Sequence, residues 1–117
     1  MKIEIKRFDS PDETRVFEKG KLELVTLGEA TLGRASYEPG WKWSEHVGPL
    51  TGQRSCPVDH VGLVLSGRAK VVMDDGRQVE LGPGDVFAIG PGHDSWVVGD
   101  DPYVSIHLAG AGEYAKK

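Results

Sequence analysis

Short runs of alternating apolar and polar positions, each closed by Gly, Pro or Asp, recur along this chain about every eight to twelve residues, the rhythm of a β-sandwich or barrel. Residues 1–8 alternate and read as a first strand, and residues 9–14 fit either one helical turn with Pro11 at its first position or a loop. Glu18-Lys19-Gly20-Lys21 marks a turn before a strand over 22–27, and a further strand over 30–38 runs up to Pro39-Gly40. Strands are expected at 41–47, 60–65, 68–73, 78–81, 86–89, 95–98 and 103–108. Between them lie a Gly-, Pro- and Ser-rich loop over 48–59, a tight corner at Ser66-Gly67, and Asp74-Asp75-Gly76, whose Asp-Gly pair suits a type I′ hairpin. Residues 110–117 read as a frayed tail.

At 117 residues the chain has room for one domain and one core, spanning 1–117. Sixteen glycines and seven prolines leave little uninterrupted sequence for a long helix. The net charge of −4 and the scattered basic residues give no footprint for nucleic acid or an anionic membrane. No apolar run approaches the roughly 18 residues of a membrane span, and the N-terminus lacks the apolar stretch of a signal peptide. The single cysteine, Cys56, has no partner for an internal disulfide, so a cytoplasmic protein is expected.

The candidate chemistry is histidine. His46 follows Gly40-Trp-Lys-Trp-Ser-Glu, His60 opens a strand, and His93 follows Gly90-Pro91-Gly92. Three imidazoles from three strands converge only if the sheet curls over them, which places a metal or a polar small molecule at the mouth of a barrel. Neutral imidazole is the commonest metal ligand, and three of them leave coordination positions open on Fe, Zn, Mn, Ni or Cu. The alternative is that each ring satisfies its nitrogens within the sheet or faces solvent.

Other residues carry two readings each. The loop bearing Cys56 leads into His60, so the thiol is either a ligand or nucleophile at the mouth, with His46 or His60 as base, or a small buried apolar residue. His107 alternates with Ile106 and Leu108 and faces either the cavity or the outer surface. Trp96 is either pocket wall or ordinary core. Trp41 and Trp43 share one face of a regular strand opposite His46, where they would form an exposed patch for a homodimer, unless a bulge at Pro39-Gly40 turns one indole inward.

Over about residues 34–108 the chain resembles the cupin family, whose first motif runs Gly, five residues, His-x-His, three or four residues, Glu, six residues, Gly. Gly40 followed by five residues and His46, and His60 followed by six residues and Gly67, carry the first motif. Gly84-Asp85 and Gly90-Pro91-Gly92 carry the second, which runs Gly, five residues, Pro-x-Gly, two residues, His. The resemblance implies an all-β, cupin-type double-stranded β-helix (jelly-roll barrel), a homodimer paired through its sheets, and a divalent transition metal on His46, His60 and His93. Gly48 replaces the second histidine, His60 replaces the glutamate, and the loop between the halves is about eight residues longer than usual. Counting from Gly92 puts Ser95 at the second-motif ligand position, whereas a two-residue deletion in that turn puts His93 there.

Two functions follow from the resemblance. One is a metal-dependent enzyme of the oxygenase or isomerase type, acting on a small polar metabolite in a pocket of a few hundred Å3 walled by Val64, Val79, Phe87 and Trp96. With no carboxylate among the three ligands, Cys56 and His107 are the candidates for a general base. The other is a non-catalytic small-molecule-binding or sensor domain without a metal.

Overall fold

The computed structural model describes residues 2–114. Its strands are β1 (Glu13–Phe17), β2 (Gly20–Leu27), β3 (Ala30–Tyr37), β4 (His60–Ser66), β5 (Arg68–Met73), β6 (Gln78–Leu81), β7 (Val86–Ile89), β8 (His93–Val98) and β9 (Tyr103–Ala109). Two short helical turns, α1 (Trp43–His46) and α2 (Gly48–Thr51), and a 3-10 turn at Ala111–Glu113 complete the described elements. All pairings are antiparallel: β1-β2-β3-β9-β4-β7 form one sheet and β6-β5-β8 the other.

The chain changes sheets between β4 and β5 at Gly67. Its φ of 78° lies in the left-handed region, and a Cβ there would collide with the Pro102 carbonyl. Period-two alternation then points Leu22 and Leu24 on β2, Ala35 and Tyr37 on β3, Val64 on β4, Ala69 and Val71 on β5 and Val97 on β8 into one core between the sheets.

Four local expectations are corrected. Residues 2–8 form no strand, and Ile3 and Ile5 are 84% and 86% exposed. The place beside β2 is taken by β1, and residues 2–8 do not extend the sheet along its outer edge. Residues 41–47 are not a strand either. After Pro39-Gly40 the main chain makes one isolated bridge, Lys42 to Trp96, and then turns into α1. The Ser44 N–H donates to Asp94 Oδ1 (3.0 Å) and the His46 N–H to the Lys42 carbonyl (2.9 Å). That turn buries both indoles, Trp41 and Trp43, to 2% exposure, so they form no outer patch.

The β5–β6 hairpin closes between Met73 and Arg77, a three-residue loop in which only Gly76 has positive φ (93°), not a type I′ turn. The tail is ordered as far as it is described. Arg15 Nη1 donates to the Gly112 and Tyr114 carbonyls (3.0 and 2.8 Å), holding Ala111 and Tyr114 in the core. Residues 115–117 of the expected tail, and Met1 of the expected first strand, lie outside the described residues.

Candidate metal centre

His60 begins β4 and points inward, in register with Ile89 on β7. His93 begins β8, in register with Met73 on β5. Cys56 belongs to no strand, but its backbone pairs with β8: its N–H donates to the His93 carbonyl (2.7 Å), and the Gly92 N–H donates to its own carbonyl (2.8 Å). This pairing sets the thiol between the two imidazoles. Cys56 Sγ lies 3.4 Å from His60 Nε2, and the candidate ligand atoms of Cys56, His60 and His93 all lie within 4.8 Å of one another.

The donor set fits a metal on three counts. Metal–sulfur and metal–nitrogen bonds of about 2.3 and 2.1 Å at a tetrahedral ion need S···N separations near 3.6 Å, close to the spacing between Cys56 and His60. His93 Nδ1 donates to the Gly90 carbonyl (2.7 Å), which puts the lone pair on Nε2 and fixes the ring as second-sphere partners of ligating histidines do. Finally, His60 Nδ1 is buried without a hydrogen-bond partner. With Nε2 facing the thiol and no partner holding Nδ1, the ring is free to ligate through Nε2. One thiolate and two imidazoles suit borderline or soft ions and leave a fourth position open.

Burial keeps these groups neutral. It pushes His60 down to about 3, helped by repulsion from His107 and His93, and it lowers His93. The Cys56 thiol is pushed up to about 11 by burial, so an ion binding there must displace its proton.

His107 completes the inner wall. It faces inward on β9, in a row that runs Gly33, His107, Gly62, Phe87 across four strands. Glycine stands beside it on both neighbouring strands, each in close packing of its own: a Cβ on Gly62 would strike the Ile106 carbonyl, and one on Gly33 would lie 3.0 Å from Leu22 and Ala111 side-chain carbons. The His107 ring centre is 5.1 Å from that of His60, and Tyr114 stacks on it at 5.7 Å. Burial lowers His107 to about 4. Among the described residues, His107 is not in the group whose ligand atoms cluster.

The structure places His46 elsewhere. It ends α1, and the Lys42 N–H donates to its Nδ1 (2.9 Å), occupying that lone pair. His46 is not among the clustered ligand atoms of the described residues. Ser95 and His93 share the inward face of β8, so both reach the cavity, with His93 at the cluster. Trp96 lies on the opposite face under the Lys42 ammonium, 5.3 Å from the ring centre. Of the expected walls, Phe87 lines the cavity and Val79 is exposed.

The misplacement of His46 has a readable cause. Gly48, five residues, Arg54-Ser55-Cys56, three residues, His60, six residues and Gly67 match the whole first motif without a lengthened loop. In that register Arg54 and Cys56 stand at the His-x-His positions. Arg54 is exposed, and Cys56 is buried at the centre.

The cavity at the centre measures about 50 Å3, room for roughly three water-sized groups and far below the expected few hundred Å3. Tyr114 lines it, its hydroxyl accepting from the Tyr37 hydroxyl at 2.8 Å.

These features define a class: a small antiparallel jelly-roll barrel with imidazole and thiol groups gathered inside. Comparison with solved structures identifies its fold as that of the cupins. A protein of unknown function from Rhizobium leguminosarum bv. viciae 3841 superposes with a TM-score of 0.59 at 24% identity, over 92% of this chain and 95% of that one. A cupin-superfamily sugar phosphate isomerase from Silicibacter pomeroyi superposes at 0.63 with 20% identity, over 86% of this chain and 71% of that one. Oxalate decarboxylase from Bacillus subtilis superposes at 0.57 with 21% identity over 77% of this chain, which spans only 25% of the decarboxylase chain. No family model matches the sequence, and no curated protein sequence matches it.

Proposed function

We propose that this cupin-fold protein binds one divalent transition metal through Cys56, His60 and His93, and that the open coordination position receives a small molecule. The observation that carries the reading is the convergence of one sulfur and two nitrogens within 4.8 Å, with His93 already oriented by Gly90. When bound, the ion supplies Lewis acidity at the open position. The chain's own residues supply the rest: Cys56, His60 and His93 are buried, and Tyr114 forms part of the cavity wall.

The size of the cavity argues against carrying over the sugar phosphate or oxalate chemistry of the structural neighbours. A pocket for a metabolite of that size is several times larger, and among the described residues no Lys or Arg lines this one to neutralise a phosphate. A second, non-catalytic reading is favoured by one feature. Among the described residues no carboxylate lines the cavity, and the titratable side chains that do are imidazoles lowered by burial and tyrosines raised by it.

The decisive measurement is metal content after purification and after loading with Co(II), whose thiolate charge-transfer band reports Cys56 directly. One ion per chain, lost in His60→Ala, supports the reading. A chain that takes up no ion at neutral pH, or keeps it in His60→Ala, overturns it.

A further inference from the structure

Among the described residues, four ring nitrogens of residues lining the cavity are buried without a partner: Nε1 of Trp41 and Trp43 and Nδ1 of His60 and His107. Trp41 and Trp43 both line it, and the Nε1–H of each is buried without an acceptor. An indole N–H can only donate, so each lacks its one possible partner. The two rings are held by packing: Trp41 stacks on Tyr37 at 4.0 Å, and the six-membered ring of Trp43 packs where Gly48 has no Cβ. Neither ring can turn away without losing that packing. Once His60 gives Nε2 to an ion, its unpaired Nδ1 carries the ring hydrogen and becomes a third donor.

Opposing charge is missing. Among the described residues no Asp, Glu, Lys or Arg lines the cavity. A divalent ion with one thiolate and two neutral imidazoles keeps a net charge of +1, among buried side chains where electrostatic interactions are strong. We propose that this cavity is a binding site for a small monoanion of about three heavy atoms, which takes the open position on the metal and accepts hydrogen bonds from the Trp41 and Trp43 indoles. The volume of about 50 Å3 sets the size limit, and the donor-rich lining sets the sign of the charge. This rests on the metal reading above. Water alone would fill the space but would leave the positive charge without a counter-ion.

The test uses azide, a three-atom monoanion with acceptor ends, against the whole chain loaded with Zn(II) and labelled with 15N-tryptophan. The chain has three tryptophans, so three indole N–H resonances are expected. Azide should shift those of Trp41 and Trp43 saturably and leave that of Trp96 in place, and benzoate, too large for the cavity, should shift neither. Trp43→Phe keeps most of the ring but not the N–H, and should weaken azide binding at least tenfold with metal content unchanged. The wild-type resonances keep the test sound if that variant does not fold. Protein that holds its metal but shows unmoved Trp41 and Trp43 resonances overturns the anion site alone, as does a shift confined to Trp96. Protein that binds no metal overturns the metal reading and this inference with it.

Discussion

Cys56 and His46 are each reachable from the sequence as ligands, and hydrogen-bond accounting separates them. The lone pair of His46 Nδ1 is met by the Lys42 N–H inside a helical turn, whereas Cys56 is bonded by its own backbone to His93. His46→Ala should therefore leave metal content and the Co(II) thiolate band unchanged, and Cys56→Ser should abolish the band and weaken binding at least tenfold, read by equilibrium titration. The outcome that sinks this assignment is the reverse pattern, metal lost with His46 and kept with Cys56. The chemistry of His60 and His93 is legible in the sequence, because strand openings after Gly- and Pro-rich turns are where a barrel presents side chains. Cys56 is harder to rank, because a lone cysteine reads equally well as a small buried hydrophobe. What decides its role is the bridge to His93, a long-range pairing with no local signal.

The elements divide along the same line. Strands with strict alternation and a partner on each side, such as β3, β4, β5 and β9, stand almost where their patterns put them. The failures are segments whose fate depends on distant groups. Residues 2–8 alternate well but pair with no strand, the place beside β2 going to β1, and residues 43–46 coil because Asp94, fifty residues on, accepts from the Ser44 N–H. The expected tail is instead a plug, because Arg15 on β1 binds its carbonyls.

Two substitutions probe these long-range dependences. Gly62→Ala puts a methyl against the Ile106 carbonyl and Phe87 in the middle of the sheet, where neither strand can yield, and should destabilise by about 2–3 kcal/mol in urea unfolding. Tyr114→Ala removes a ring that is 3% exposed and deprives the Tyr37 hydroxyl of its partner. A loss of about 3 kcal/mol is expected. A change below about 1 kcal/mol would mean that the C-terminal segment only rests on the barrel.

At the scale of the molecule, the exposed apolar surface does not lie at the indoles. It lies on the outer face of the larger sheet, where Val86 and Ile106 flank Leu63 in register and Leu65 and Leu108 stand exposed nearby. A second copy of the chain covering this face would give a mass of about 25 kDa by light scattering, twice the 12.7 kDa chain, and Leu65→Glu with Leu108→Glu should return it to monomer. A wild-type monomer at high concentration would refute that pairing.

The buried histidines also govern global stability. His60 and His107 titrate near 3 and 4 in the folded chain, against about 6.5 when unfolded, and His93 is lowered in the same direction. Between those limits the unfolded chain binds more protons than the folded one, so stability rises with pH. Their contribution is complete above about pH 6.5 and is lost as the pH falls towards 3–4. Each such group costs up to about 1.4 kcal/mol per pH unit, so His60 and His107 together cost about 3 kcal/mol per unit. Against a stability of about 5–15 kcal/mol, the metal-free protein at the lower end of that range should unfold near pH 5. The opposite limb belongs to Cys56: its thiol ionises near 9 when unfolded and near 11 when buried, so stability falls again as the pH rises through that interval. Urea unfolding of metal-free protein, followed by circular dichroism at a series of pH values, should therefore show a stability plateau from about 6.5 to 9. The acid limb should become shallower in His107→Phe, which removes one buried proton acceptor, and a limb of unchanged slope in that variant would show that His107 is not a neutral, buried imidazole.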